Sequence, residues 1–220
     1  MKTMILSALL LSLAVRALAQ GTFVNLNFEA ATVPYSTTTG SLVPATAAFP
    51  GWTVYYGNSP QSTVAYNAIL PAGGILLWTR EFADVYPIPL SFGSFSMIPK
   101  PSLSFDVSLS QVGTLPAGAD ALLFESYGDF PLVPANFQFR FGSTLLPVEL
   151  ISQTGSVSSW RASLAGLGGQ TDELLIGFAG PDFVGFHRFD NLQFVPEPGT
   201  WALLGLGGAL LWCGARRRRK

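Results

Sequence analysis

The chain has 220 residues, 49% of them hydrophobic and only 11% charged, with one cysteine and one histidine. Its net charge of −1 hides an uneven distribution: without Lys2, Arg16 and the five terminal cations, residues 20–195 hold five basic against twelve acidic side chains, a charge of −7. So acidic a stretch argues against nucleic-acid binding, which needs Lys and Arg to displace counterions from phosphates, and without cysteine it has no disulfide to staple it. About 176 residues are enough to bury the core of one domain.

Met1-Lys2 gives a positive start, residues 4–15 are apolar, and Ala17-Leu18-Ala19 is an A-x-A site ahead of Gln20. This pattern predicts a secretory signal peptide over residues 1–19, cut between Ala19 and Gln20. Residues 20–195 then form the exported domain.

That domain reads as all-β. The clearest strand is 101–109, where Leu103, Phe105, Val107 and Leu109 alternate with Ser102, Ser104, Asp106 and Ser108. The run 136–141 repeats the pattern with Phe137, Phe139 and Phe141 on one face. Further strands are expected over 22–28, 52–56, 63–70, 75–79, 121–125, 145–150, 157–164, 173–178 and 186–194, each short and bounded by Gly, Pro, Ser or Asp clusters. No stretch of the domain carries a sustained 3.6-residue apolar stripe, so no helix is expected. Many short strands without helices predict a two-sheet antiparallel β-sandwich.

Asn27-Phe28-Glu29 near the mature start, Gly51-Trp52 after a loop, and residues 189–194 (FDNLQF) at the end give the domain a second signature. In these it resembles galactose-binding-like and carbohydrate-binding-module jelly rolls. The resemblance implies that first and last strands come together. It also implies a structural calcium held by Glu29 and Asp190, since calcium takes several hard oxygens. The other reading makes Glu29 a solvated loop residue and Asp190 a turn residue bonding local backbone N–H groups. No D-x-D-x-D-G loop is present, and no other cofactor is expected.

Enzymatic signals are weak. His187, the only histidine, alternates with aromatics and reads as a half-exposed structural residue rather than a general base. Gly93-Ser94-Phe95 and Gly142-Ser143-Thr144 do not make a nucleophile elbow. Asp106, Glu125, Asp129 and Asp182 are available as glycosidase carboxylates, but linear spacing does not fix their separation. Aromatic side chains offer a better ligand surface: Trp52 and Trp78 read as core, whereas the loop tyrosines Tyr55, Tyr56 and Tyr86 are candidate sugar contacts.

The C-terminal segment, 196–220, has three parts. Pro196-Glu197-Pro198 is kept extended by two prolines. Residues 200–215 hold no charge and are expected to form a single short transmembrane helix with its C-terminus inside; it would reach roughly 24 Å, somewhat short of a bilayer core of about 30 Å. Trp201 and Trp212 lie toward the ends of that stretch, where indoles favour the interface. Arg216, Arg217, Arg218, Arg219 and Lys220 follow as a cytoplasmic stop. The alternative is a buried helix ending in a solvated basic tail, although core helices seldom run directly into five unpaired cations. The order of the three parts resembles the C-terminus of PEP-CTERM proteins of Gram-negative bacteria. The resemblance implies recognition and cleavage by an exosortase after export, first as an inner-membrane-tethered precursor and then at the cell envelope surface or in the extracellular matrix. Its expected partners are secretion machinery, exosortase, membrane and extracellular polysaccharide. Three functions follow from this reading: a non-enzymatic surface or matrix protein, a carbohydrate-binding module, and a secreted hydrolase.

Overall fold

The computed structural model describes residues 21–34, 40–69, 73–85, 93–102, 106–128, 132–179 and 187–196. In chain order these hold β1 (Ser41–Pro44), α1 (Ala45–Ala48), β2 (Thr53–Tyr56), β3 (Ser59–Pro60), β4 (Thr63–Tyr66), β5 (Gly74–Thr79), α2 (Arg80–Val85), β6 (Phe95–Lys100), β7 (Val107–Thr114), β8 (Ala119–Gly128), β9 (Phe137–Phe141), β10 (Thr144–Leu145), β11 (Val148–Thr154), β12 (Val157–Ser163), β13 (Thr171–Phe178) and β14 (His187–Pro196), with a 3-10 turn at Pro134–Asn136. Eight strands form one sheet in the order β1-β4-β5-β6-β14-β8-β12-β11, and six form the other, β10-β9-β13-β7-β2-β3. Among the described pairs only β4 and β5 run parallel. The all-β, two-sheet expectation holds.

Alternation along the strands builds the core. On the six-stranded sheet Val54, Leu109, Ile176 and Phe139 stand in one cross-strand row, all buried. Leu77, Met97 and Phe189 make the matching row on the other sheet. Aromatic rings fill the space between: Phe124 and Phe139 at 4.7 Å, Phe137 and Trp160 at 4.8 Å, Phe178 and Phe189 at 4.5 Å. Each such side chain contributes about 1.5–3 kcal/mol by leaving water. A second cluster lies on the outer face of the eight-stranded sheet, where Phe82 of α2 stands edge-on to Trp78 at 5.1 Å above Leu76, Ile98 and Tyr127.

Several expectations are corrected. Residues 22–28 are not a strand; the chain turns there, with Asn25 and Phe28 in the left-handed region at φ 53° and 56°. Asn25 organises that turn, its Oδ1 accepting from Ala30 N and its Nδ2 donating to Pro50 O. Among the described residues there are two α-helices, but at four and six residues they are too short to show a helical stripe. The strand expected over 101–109 begins only at Val107, with 103–105 outside the described residues. The expected 145–150 strand is divided into β10 and β11, with Pro147, which lacks an N–H, between them. His187 is fully buried rather than half-exposed.

The expected signal peptide with Ala19 and Gln20, Tyr86, Asp129, Asp182, and everything from Glu197 to Lys220 lie outside the described residues. Among the described residues no helix is long and apolar enough to cross a membrane.

Candidate functional site

Three places carry the residues singled out in the sequence. The first is the end of β14. This strand lies inside the eight-stranded sheet between β6 and β8. Its last residues pair with the start of β8: Phe194 with Leu122, Val195 with Ala121, Pro196 with Ala119. Phe194 is 2% exposed and packs on Phe23, and Leu192 N donates to Leu26 O at 3.1 Å. The first described residues therefore meet β14, as a turn rather than as a strand. β7 and β8 are joined by only four residues, so Thr114, Ala119 and Pro196 share one end of the molecule.

The second place is a carboxylate group on the outer face of that sheet. A bulge in β14 puts Asn191 at φ 55° just after Asp190, which is paired with Glu125. Asp190 is 1% exposed; its Oδ1 accepts from Asn191 N at 2.7 Å, and its buried Oδ2 has no hydrogen-bond partner. Burial pushes its carboxyl up to about 8, with the charges of Glu29 and Glu125 adding to the rise and the Asn191 N–H and Ser96 hydroxyl opposing it. Glu125 Oε2 accepts from Asn191 Nδ2 at 2.7 Å. Glu29 is neither a solvated loop residue nor an open ligand. Its Oε1 accepts from Ser94 N at 2.8 Å and Phe95 N at 3.0 Å, and Oε2 also accepts from Ser94 N at 3.0 Å, so the carboxylate clamps the entry to β6. The charge of Glu29 is felt at Asp190, and among the described residues no group of three or more Asp, Glu, His or Cys is arranged to hold a metal ion. Sequence reasoning missed Arg188, whose buried guanidinium carbon lies 6.0 Å from the ring centroids of both Trp78 and Tyr127.

The third place is β2. Tyr55 and Tyr56 are both half-buried, and Tyr56 pairs with Val107 at the start of β7, the end of the molecule opposite Pro196. The Tyr56 hydroxyl accepts from Ile75 N at 3.3 Å, which fixes its ring, and burial raises its pKa from the ordinary value against the smaller effect of that hydrogen bond. Trp52 and Trp78 are core, as expected, with their indole N–H groups donating to Asn25 O and Ala68 O.

A family model described as the PEP-CTERM protein-sorting motif matches residues 194–220. The chain carries a PEP-CTERM sorting motif. The sequence-level reading of Pro196, Glu197, Pro198 and the basic end therefore stands as a motif, joined without a spacer to β14. No curated protein matches the chain. Among solved structures, an apo-form cyclase from Fischerella sp. shares 15% identity over 81% of this chain and 96% of its own, with a TM-score of 0.51. That likeness is one of fold. A carbohydrate-binding module, TmCBM61, solved with β-1,4-galactotriose, matches at 14% identity over 81% of this chain and all of its own, with a TM-score of 0.39. A family 11 carbohydrate-binding module from Clostridium thermocellum, solved with a mixed-linked tetrasaccharide, matches at 12% identity over 72% of this chain and 97% of its own, at 0.30.

Proposed function

We propose that this is an exported, non-enzymatic surface or matrix protein, delivered through its PEP-CTERM segment by an exosortase. The carrying observation is the motif match over residues 194–220, attached directly to the end of a folded strand. A signal peptide over 1–19 brings the chain out, and the apolar stretch 200–215 with its basic end holds it in the inner membrane until it is cut. Of the side chains a hydrolase would draw on, three of those described lie in separate settings: Asp106 exposed before β7, Glu125 bonded to Asn191 on the other sheet, His187 buried at the start of β14. The test is the intact mass of the protein from its own host, with a strain lacking the exosortase beside it. A form starting at Gln20 and lacking the basic end only when the exosortase is present supports the reading; a chain ending at Lys220 in both strains sinks it.

A second reading, binding of extracellular polysaccharide, is favoured by the tyrosine pair on β2. Tyr56 packs against the core and is held by Ile75, while Tyr55, the preceding residue of the strand, faces the opposite side of the sheet at the end away from the sorting segment. A ring fixed before binding loses little freedom on contact with a sugar face.

A further inference from the structure

We infer that β11 is a docking edge for a second copy of this chain, the two copies joining edge to edge so that their eight-stranded sheets continue into one another. This goes beyond the sorting reading and does not depend on it. A strand at the margin of a sheet presents unpaired N–H and C=O groups to any other strand, and folded proteins blunt such margins with short strands, prolines or charges. Four described strands stand at margins here: β1 and β11 on one sheet, β10 and β3 on the other. Three of them are blunted. β3 and β10 have two residues each, with β3 closing on Pro60, and β1 has four residues and closes on Pro44. β11 (VELISQT) has seven residues, with no proline, glycine or lysine among them. A stretch of that length, with a single charge and without proline, is the kind that pairs readily with its like.

β11 is also open to its surroundings. Val148 is half-buried and the other six residues are exposed, so the sandwich leaves both faces of this strand uncovered. A bulge between Leu150 and Ser152 gives β11 one residue more than β12. Bulges can turn an edge out of reach, but this one leaves Leu150 45% and Ile151 53% exposed. The 3-10 turn lies against β11, and Val133 just before it is 52% exposed, so three large apolar side chains stand at this margin.

Charge and topology select a copy of the same chain as the occupant. Glu149 is the one ionisable side chain of β11, and its Oε1 accepts from Arg161 Nη1 at 3.0 Å, so a cation of its own molecule already meets it. An antiparallel pairing centred on the strand sets each Glu149 against the neutral 152–154 half of the other copy, so like charges do not face each other. No other described margin matches β11 in length, so the contact is self-complementary and closes as a pair instead of growing into a fibre.

The test is sedimentation equilibrium of the full chain, held in a mild detergent, over a range of concentrations, with hydrogen exchange measured by mass at the low and high ends. Two variants are run beside it. Ile151→Lys puts a cation at the centre of the edge, and Val112→Lys puts one on β7 of the other sheet, where Val112 is 70% exposed. Both positions are exposed, so both variants are expected to melt with the natural protein. The expected result is a reversible monomer–dimer equilibrium in the natural chain and in Val112→Lys. In Ile151→Lys, where two cations are brought together, the dimer should weaken by about tenfold or more. The amides of 148–154 should exchange more slowly at high concentration in the natural chain. A natural chain that stays monomeric to the limit of its solubility overturns the inference. So does a dimer as strong in Ile151→Lys as in the natural chain, or one that leaves exchange at 148–154 unchanged, since the contact then lies elsewhere. Assemblies that keep growing with concentration overturn it too, because the edge then does not close on itself. If Ile151→Lys fails to fold, exchange at 148–154 in the natural chain decides alone.

Discussion

Phe23 and Phe194 lie with ring centroids 5.3 Å apart and planes 48° apart, closing the first turn of the folded domain on its last strand. The two residues are 171 positions apart in the chain, and both are buried. Truncating either ring leaves a cavity that the rigid sheet above it cannot fill. Phe194→Ala is expected to cost about 3–5 kcal/mol, read as a lower urea midpoint with an unchanged slope. A chain ending at residue 193 should lose at least as much, whereas one ending at Pro196 should melt with the processed protein. Equal stability of chains ending at 193 and 196 would show that the final rungs contribute nothing.

Glu29 and the amides of Ser94 and Phe95 make a second long-range tie. Three charge-assisted contacts on one carboxylate hold the start of β6 in place. Glu29→Gln keeps one acceptor and loses the charge, with an expected loss of about 1–2 kcal/mol. If the carboxylate serves as this clamp, millimolar calcium leaves the melting temperature of the natural protein unchanged. A rise with calcium that disappears in Glu29→Gln would return Glu29 to the role of a metal ligand.

How much of this was legible follows from which faces are covered. β9 shows its Phe137, Phe139, Phe141 alternation because only one face of that strand is buried. β6 (FSMIPK) was unreadable for the opposite reason: all six residues are buried, since the core covers one face and the Trp78–Phe82 cluster the other. Pro99 within it also argued against a strand. It pairs with Ile75 of β5 and lies two residues beyond Met97, where β6 meets Phe189 of β14. Residues 22–28 misled because alternating apolar side chains can be buried by a turn as well as by a strand. The sorting motif was legible in full, being local. The approach of Glu29 to Asp190 entered only through a family resemblance, and the amides that occupy Glu29 carry no side-chain signature in the sequence.

Tyr55 and Tyr56 separate sugar binding from packing. Tyr55→Ala removes a half-buried ring and is expected to abolish retention on a matching polysaccharide gel while lowering the melting temperature by only a few degrees. Tyr56→Phe keeps the ring and loses the hydroxyl that Ile75 N–H bonds, so retention should fall only in part. Migration of the natural protein unaffected by any of a panel of acidic and neutral polysaccharides would leave these side chains with a packing role alone.

Asp190 should make stability depend on pH in a direction opposite to that of an ordinary paired carboxylate. Its folded pKa is pushed up to about 8 from an ordinary 3.8, so between those values the folded protein keeps a proton that the unfolded chain releases. The stabilisation linked to that proton is fully present below pH 3.8 and is lost as pH rises through 8. Above that point a charge must reside on a carboxylate only 1% exposed, with Glu29 and Glu125 nearby. Asp190→Asn places a neutral side chain of the same shape there and removes the titration. The expected outcome is a variant more stable than the natural protein at pH 8.5, by roughly 2 kcal/mol, with a flatter stability profile between pH 4 and 8. Urea unfolding of both proteins across that range decides the matter: parallel profiles would mean that Asp190 is ionised in the folded state at neutral pH, with its charge balanced by a group packed against it.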